Sequence, residues 1–221
     1  MPIPQKPTKE IPKTARERVY LELRQWIIDG TLKPDEKISD HELSEYFSVS
    51  RTPVREAMQL LADQKLIDIY PGRESRVSPI DFESLNKTYK LTAELHALAI
   101  EFAFPHITNQ TITELKKINH LFSTASKEHD IKKTNKYDQA FHGVFLSLSD
   151  NYFLNEFTKT LNSHIERIEN LYYSMILDHM DSISEHEQII KALEDHNLPL
   201  AMESMKTNWL HTLDIINEIK K

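Results

Sequence analysis

Two arginines and a glutamine recur every four residues in the segment SRTPVREAMQLL, residues 50–61. Arg51, Arg55 and Gln59 therefore share one face if the segment is helical. Forked guanidinium groups and an amide suit base edges and phosphates, which accept bidentate hydrogen bonds. The spacing thus indicates a surface that reads nucleic acid. The alternative is an amphipathic helix with a solvated basic edge, which is common on protein surfaces.

A carboxylate and two imidazoles form a second group with the chemistry of a binding site. Asp138 and His142 are one helical turn apart, so both can point at one spot, and the neighbouring Phe141 indicates that this spot is buried. His186 lies among apolar residues at helical spacing and also faces inward. Burying these groups is costly unless something pairs them, and a divalent metal would satisfy all three. The alternative is a hydrogen bond between Asp138 and His142 beside an unrelated core histidine.

The segment that carries the arginines has the start signals of a helix with a buried back. Ser50 or Thr52 can cap its first turn, and Pro53 falls where no backbone donor is needed. The face that packs inward recurs at helical spacing and consists of Val54, Ala57, Met58 and Leu61.

A shorter helix is predicted just before this segment, over residues 39–47. Ser39 is its expected cap, and Glu42 is the capping-box partner three residues later. Residues 48–49 leave room only for a tight connection between the two helices. The order and spacing are those of a helix-turn-helix.

A β-hairpin, or wing, is predicted after the second helix. Residues 66–70 alternate like a strand, Gly72 lies at a turn, and residues 73–77 can return as the second strand. Arg73 and Arg76 would then lie near the tip, within reach of phosphate or a minor groove.

The chain is predicted to be mainly α-helical, with two domains behind a mobile arm. Residues 1–15 are rich in proline and polar residues and carry no apolar period. Residues 16–79 contain the helix-turn-helix and the wing, preceded by a helix over residues 16–29. Residues 80–221 carry six successive helical patterns, which predict an all-α bundle of six or seven helices. The first pattern has Leu91 and Phe102 on its apolar face, Ser182 with Glu185 forms a capping box for the fifth, and Asn197 caps the last.

Charge and composition restrict the class of protein. The net charge is −7, yet residues 1–80 hold 13 basic and 13 acidic side chains, so the negative charge falls after them. An acidic second domain would stay off DNA while the first domain docks. The absence of cysteine excludes disulfides, thiolate zinc sites and cysteine nucleophiles. No apolar run approaches the ~20 residues of a membrane span, and no signal peptide pattern is present, so we expect a cytoplasmic protein without a membrane partner.

Residues 27–34 (IIDGTLKP), 43–61 (LSEYFSVSRTPVREAMQLL) and 72–77 (GRESRV) resemble the winged-helix domain of the GntR family of bacterial transcription regulators. Carried over by position, the resemblance implies that the residues contacting DNA are Arg51, Thr52, Arg55, Gly72 and Arg73, with His41 where the family often has arginine. Four positions depart from the usual glycine, namely Asp35, Ser48, Lys65 and Glu74. The last of these places a negative charge where a phosphate can pass.

Residues 81–218 resemble the ligand-binding domain of the FadR-like (FCD) branch of this family, with looser motifs at 137–142, 185–193 and 201–208. The resemblance implies an all-α bundle that often holds a divalent metal, zinc or nickel, near its effector. Three of the metal ligands of that branch fall on Asp138, His142 and His186.

The sequence departs from the pattern of this branch at the position of the fourth metal ligand and at two positions that bind the effector. The fourth ligand is usually histidine, whereas here that position is Asn208, with His211 one turn beyond. The metal would be held by three groups, by His211 in place of the usual residue, or not at all. Thr92 and His96 stand where the branch often has arginine and glutamate. Arginine binds a carboxylate through two parallel hydrogen bonds. Without that arginine, another residue would have to bind the carboxylate of an organic acid, and the candidates are His96, His164 and Arg167.

The resemblance implies a homodimeric repressor whose two recognition helices enter successive major grooves of a palindromic operator, about 34 Å apart. A small-molecule effector in the bundle would shift the balance between binding and non-binding arrangements. Two other functions stay open for the bundle. It could be a metal-dependent enzyme domain, since Asp and His ligands with an open position can activate water, or it could serve dimerisation alone. The sequence has no HEXXH run, nucleophile elbow or phosphate loop, and we therefore predict no enzyme activity.

Overall fold

The structure, a computed structural model, describes residues 14–70, 74–172 and 180–219. The chain divides into two compact units, Met1–Ile80 and Asp81–Lys221. The mainly helical class is confirmed, and the described strands form one small sheet in the first unit. Within the described ranges, no helix is both long and apolar enough to cross a bilayer.

Three helices and three short strands are described in the first unit. They are α1 (Ala15–Ile28), β1 (Lys37–Ile38), α2 (Asp40–Phe47), α3 (Arg51–Asp63), β2 (Ile67–Asp68) and β3 (Ser75–Val77). At the start of α1, Thr14 accepts a hydrogen bond from the Glu17 amide, and the Glu17 carboxylate accepts one from the Thr14 amide. The predicted mobile arm, residues 1–15, lies outside the described residues except for Thr14 and Ala15.

The predicted helix-turn-helix is confirmed in α2 and α3. Ser39 caps α2 by accepting a hydrogen bond from the Glu42 amide at 3.3 Å. Ser48 makes the turn between the two helices in the left-handed region, with φ 53°. The predicted side-chain cap of α3 is wrong, because Ser50 occupies the cap position without such a hydrogen bond and Thr52 lies inside the helix. Both residues are exposed, so water can satisfy the amides of this first turn.

The sheet has the order β1-β3-β2, with antiparallel pairing on both sides of β3. Ile67 of β2 lies opposite Val77 of β3, which confirms the predicted hairpin. The strand β1 was not predicted, because two residues are too short to show an alternating pattern. Gly72 and Arg73, at the predicted tip of the wing, lie outside the described residues.

The inward face of α3 has the predicted composition. Its buried residues are Val54, Ala57, Met58 and Leu61. They join a hydrophobic core with Leu23 and Ile27 of α1, against which Trp26 and Phe47 also pack. Burying one face of α3 in this core leaves the opposite face, with its arginines, exposed.

Six α-helices and one short 3₁₀ turn are described in the second unit, as expected for the predicted bundle. They are α4 (Phe82–Ala103), the 3₁₀ turn (Phe104–His106), α5 (Asn109–Lys127), α6 (Ile131–Leu148), α7 (Tyr152–Tyr172), α8 (Met180–Glu194) and α9 (Leu198–Ile219). Helix α4 packs on α6, α7 and α9, while α5 packs on α6 and α8. The described bundle therefore brings α4, α6, α8 and α9 into one core.

Two details of the predicted bundle are wrong. Leu91 and Phe102 were assigned to the apolar face of α4 but are exposed, because the buried face instead follows Tyr89, Thr92 and His96 at helical spacing. Ser182 and Glu185 were predicted to cap α8, whose first described residue is Met180. The predicted cap of α9 is present, since the Leu200 amide donates to the Asn197 side chain at 3.1 Å.

Candidate nucleic-acid interface and candidate metal centre

The two arginines of α3 meet on one carboxylate of α2. Arg51 donates from Nη2 to Asp40 Oδ1, and Arg55 donates from Nε to Asp40 Oδ2, each at 2.5 Å. The arginine side chains remain 52% and 64% exposed, whereas that of Asp40 is 19% exposed. The hydrogen bond from Arg51 is the main cause that lowers the pKa of Asp40, and Arg55 adds to it. The predicted basic edge is thus an ordered pair of guanidinium groups with an acidic partner that was not predicted.

Three other side chains that were predicted to contact DNA lie on α2 and α3, and each has its own surroundings. Thr52 is exposed in the first turn of α3. Gln59 donates its amide to Asp63 Oδ1 at 2.9 Å, one turn further along the helix. His41 lies on α2, with Nε2 3.6 Å from the carboxylate of Glu45, and both side chains are largely exposed. Whether these side chains contact DNA stays a prediction.

A groove of about 780 Å³ runs between the start of α2, the outer face of α3 and the sheet. At the sheet, the ammonium group of Lys37 lies 2.7 Å from the carboxylate of Glu74, and Arg76 lies 3.9 Å from it. Lys37 is the main cause that lowers the pKa of Glu74, so this carboxylate is ionised and paired. The negative charge introduced by Glu74 is therefore balanced by a lysine whose role was not predicted.

Three predicted metal ligands converge in the second unit. Asp138 and His142 project from α6, and His186 projects from α8. The His142 Nε2 lies 3.8 Å from Asp138 Oδ2, and the His186 Nε2 lies 3.6 Å from Asp138 Oδ1. One ligand atom from each of the three residues lies within 4.8 Å of the others. The imidazoles are buried, while the Asp138 side chain is 33% exposed.

A hydrogen bond to Asn119 orients His186 for metal binding. The Asn119 amide nitrogen donates to the backbone oxygen of Ile183 at 3.1 Å, so its side-chain oxygen faces His186 Nδ1 at 3.0 Å. Nδ1 must therefore carry the proton, which leaves the lone pair on Nε2. This Nε2 atom is buried with no hydrogen-bond partner. A buried imidazole with its lone pair free and its other nitrogen anchored is the arrangement that metal-binding histidines adopt.

The two imidazoles are uncharged and can bind a cation, whereas Asp138 holds a proton that a cation must displace. Burial lowers the pKa of His142 to about 3, and burial, with a smaller effect of His142, lowers the pKa of His186 well below its usual range. Both imidazoles are neutral, as metal ligation requires. Burial raises the pKa of Asp138 to about 8, and neighbouring carboxylates, Glu169 foremost, add to this effect. A divalent metal would relieve this accumulation of negative charge.

The two candidates for a fourth ligand are both tied to Glu185. Asn208 donates its amide nitrogen to Glu185 Oε2, and His211 Nδ1 lies beside Glu185 Oε1, each at 2.8 Å. His211 Nε2 in turn lies 3.9 Å from the Asp181 carboxylate. Among the described residues, the group that could hold a metal does not include His211. The Asn208 amide oxygen takes no part in the contact with Glu185, and its role as a fourth ligand stays a prediction.

Predicted effector residues lie beside the metal ligands, on the side of α4 and α9. Thr92 and His96 are buried on α4, and the His96 ring lies 5.2 Å from His142 and 4.7 Å from Trp209. The Thr92 hydroxyl, both His96 ring nitrogens and the Trp209 indole nitrogen are buried with no hydrogen-bond partner among the described residues. Burial lowers the pKa of His96 well below its usual range, so the ring is neutral. Trp209 was not predicted as a site residue, because an indole among apolar residues at helical spacing is typical of a core.

The remaining predicted effector residues lie on α7. Arg167 is buried and His164 is half-buried. Their participation in an effector site stays a prediction.

Both units match models of known protein families. Residues 15–77 match bacterial regulatory proteins of the gntR family, and residues 87–209 match the FCD domain. A helix-turn-helix transcriptional regulator in an unstable DNA locus of Streptomyces ambofaciens is 26% identical over 208 residues, which are 94% of this chain and 87% of that protein. The gluconate operon transcriptional repressor of Bacillus licheniformis is 27% identical and covers 87% of this chain and 81% of its own length. The solved structure of Escherichia coli McbR/YncC has the same fold, with a TM-score of 0.81 at 19% identity over 95% of this chain and 100% of that one.

Proposed function

The chain belongs to the gntR family of bacterial regulatory proteins and carries an FCD domain, and we propose that it is a homodimeric repressor controlled by a metal-assisted effector site. It is a transcriptional regulator with an N-terminal DNA-binding domain and a C-terminal effector-binding domain. The matching families and relatives are regulators rather than enzymes, so the enzyme alternative is set aside.

The DNA-binding role of α3 rests on one observation, the exposed pair of Arg51 and Arg55 at the start of the helix. Each guanidinium has five N–H donors and gives one to Asp40, so donors remain for base edges. In a homodimer, two copies of α3 would enter successive major grooves of a palindromic operator, about 34 Å apart. Thr52, in the first turn of the helix, would contact phosphate.

The metal role rests on Asp138, His142 and His186, with the amide oxygen of Asn208 as the fourth ligand. Two neutral imidazoles and a carboxylate suit zinc or nickel better than calcium or magnesium, which prefer oxygen ligands. A metal held by these residues would polarise an oxygen atom of the effector. The residues of the chain would hold that metal inside the bundle, beside the predicted effector residue His96 of α4.

The effector is proposed to be a small organic acid rich in hydroxyl groups. Thr92, His96 and Trp209 supply buried polar atoms that lack partners, and buried polar atoms normally find them. Hydroxyl and carboxylate oxygens would accept from the indole and imidazole N–H groups and exchange hydrogen bonds with the threonine. The gluconate operon repressor among the relatives makes sugar acids the first compounds to try.

Thermal unfolding with added Zn²⁺ or Ni²⁺ tests the metal role. We expect either ion to raise the melting temperature of the full chain. At a hundredfold excess of the ion over Kd, binding adds about 2.7 kcal/mol to the free energy of unfolding. His142→Ala and His186→Ala should lose this shift, whereas His211→Ala, which removes a partner of Glu185 and Asp181, should keep it. Equal metal content of the parent and His186→Ala by elemental analysis would rule out this site.

The same measurement on the zinc-loaded chain, with a panel of organic and sugar acids, tests the effector role. A binding compound should raise the melting temperature of the parent, and Trp209→Phe, which keeps an aromatic ring but loses the N–H donor, should respond less. If no compound changes the melting temperature, the bundle serves dimerisation without a ligand of this class.

A further inference from the structure

We propose that Asp40 is a positioning residue for DNA recognition, which holds Arg51 and Arg55 in one shared arrangement and so raises the preference for operator over other DNA. This inference rests on the proposed base-reading role of the two arginines. Asp40 lies in the first turn of α2 and is not among the predicted DNA-contacting residues.

The atoms used in the contact leave both arginines able to read bases. Arg55 binds Asp40 through Nε and therefore keeps both terminal nitrogens for a bidentate contact. Arg51 binds through one terminal nitrogen, Nη2, and keeps Nε and the other terminal nitrogen. Because each oxygen of the carboxylate takes a different arginine, one side chain sets the positions of both. More than half of each arginine side chain still faces solvent.

The position of Asp40 is itself well defined. It is the first residue of α2, next to the capping residue Ser39, and carboxylates are favoured at helix N-termini by the helix dipole. Its side chain is 19% exposed, much less than those of its two partners. The rigid member of the cluster is therefore the acid, and the two long arginines are ordered by it.

This ordering has opposite effects on the two kinds of DNA binding. Free arginine side chains lose much rotamer freedom when they bind a base, and the contact with Asp40 removes part of that loss in advance. The carboxylate also reduces the net charge of the cluster from two positive charges to one, which weakens attraction to phosphates on any sequence. Asp40 should thus reduce non-specific binding and support specific binding.

A competing role for the same contact would give the opposite result. If DNA must displace Asp40 from the arginines, the carboxylate acts as a competitor, and its removal strengthens operator binding at least as much as non-specific binding. The ratio of the two dissociation constants therefore separates positioning from competition, whereas a melting temperature does not.

The experiment uses the full chain and an operator selected from a random duplex pool by the parent protein. Dissociation constants for this operator and for a scrambled duplex are measured by fluorescence anisotropy at fixed salt. For Asp40→Asn and Asp40→Ala, we expect binding to the scrambled duplex to tighten about twofold to fivefold and the operator preference to fall about tenfold. An unchanged or increased preference in both variants would overturn the positioning role.

Two control variants make the result specific. Glu42→Gln removes a carboxylate from the same first turn of α2, and we expect it to tighten binding to both duplexes alike without changing their ratio. Arg51→Ala tests the role on which the inference rests. If Arg51→Ala loses operator preference but the Asp40 variants keep it, only the positioning role fails, whereas full preference in Arg51→Ala would remove the base-reading assignment itself.

Discussion

His186 donates its Nδ1 proton to the side-chain oxygen of Asn119 across 3.0 Å, from a helix 67 residues away in sequence. Asn119 is held in turn by its hydrogen bond to the backbone of Ile183. The imidazole lone pair on the other nitrogen is thereby directed towards Asp138. The candidate metal site is consequently ordered by a residue outside its ligand set.

Asn119→Ala should weaken metal binding by about tenfold to a hundredfold, because the ring of His186 would lose the partner that fixes its tautomer and orientation. Competition with a chromophoric zinc chelator measures this affinity. Asn135→Ala is the matched control. Asn135 donates a hydrogen bond to Asn170 at 2.9 Å, and no hydrogen bond joins it to His186 in the part of the chain that the structure describes. Equal zinc affinities in the parent and Asn119→Ala would contradict the orienting role.

Asp138 should make the stability of the metal-free protein depend on pH. The pKa of Asp138 is about 8 in the folded state, against about 3.9 for aspartate in an unfolded chain. Between these values the folded state binds more protons at this group, so stability decreases as pH rises from about 4 to about 8. The Asp138 side chain is 33% exposed, so solvent screens most of this effect and about 1 kcal/mol remains. Asp138→Asn in the presence of EDTA should therefore melt about 2–4 °C higher than the parent at pH 8.5 and at nearly the same temperature at pH 4.

The same group should make zinc affinity increase with pH through about 8, because the metal must displace the proton of Asp138. His142 contributes no such proton, since its pKa of about 3 leaves it neutral. Calorimetry in buffers of different ionisation enthalpy should detect close to one proton released per zinc at pH 7. Zinc affinity that does not change between pH 6 and pH 9 would contradict this assignment.

Much of the candidate site could be predicted because it follows helical spacing. Arg51 and Arg55, and likewise Asp138 and His142, are four residues apart, and a helix places such pairs on one face regardless of the rest of the fold. His186 is distant in sequence and was grouped with them because it lies on an apolar helical face, and the resemblance to a known family then supported this grouping. The helical spacing and the family pattern together were sufficient to predict that these residues belong to the two candidate sites.

The missing parts depend on contacts between elements. Asp40 lies 11 and 15 residues before the arginines that it binds, and Asn119 lies 67 residues from His186, distances at which no helical or strand period applies. Tertiary packing also decided which face of α4 is buried, and it turned Leu91 outward. The capping role predicted for Glu185 failed for the same reason, since its carboxylate instead accepts hydrogen bonds from α9.

Three positions where the family usually has glycine retain the backbone conformation that favours glycine. Asp35, Ser48 and Lys65 have φ values of 64°, 53° and 61°. This left-handed conformation costs a residue with a Cβ atom about 1–2 kcal/mol. Glycine avoids that steric cost but loses more backbone entropy on folding, so the net gain from glycine is smaller. Ser48→Gly and Lys65→Gly should each raise the free energy of unfolding by about 0.5–1 kcal/mol in urea denaturation. Lys65→Ala, which keeps the Cβ atom, should bring no such gain, and an equal gain would contradict the backbone explanation.

The pairing of Lys37 with Glu74 should protect DNA binding from the acidic residue in the wing. Lys37→Ala would leave Glu74 unpaired at the groove and should weaken binding to any duplex by about threefold to tenfold at low salt. Adding Glu74→Gln to this variant should restore most of the affinity, because the uncompensated charge is then gone. Anisotropy titrations of the four proteins in this cycle measure the coupling, and strictly additive effects would show that the pair does not matter for DNA.

The central claim is that α3 reads DNA through Arg51 and Arg55. The most direct measurement is the ratio of dissociation constants for the selected operator and for its scrambled duplex, in the parent, Arg51→Ala and Arg55→Ala. Loss of a base contact typically costs about 1–3 kcal/mol, so each variant should lose about fivefold to 150-fold of the operator preference. If both variants keep the full preference of the parent, α3 does not read the operator through these arginines.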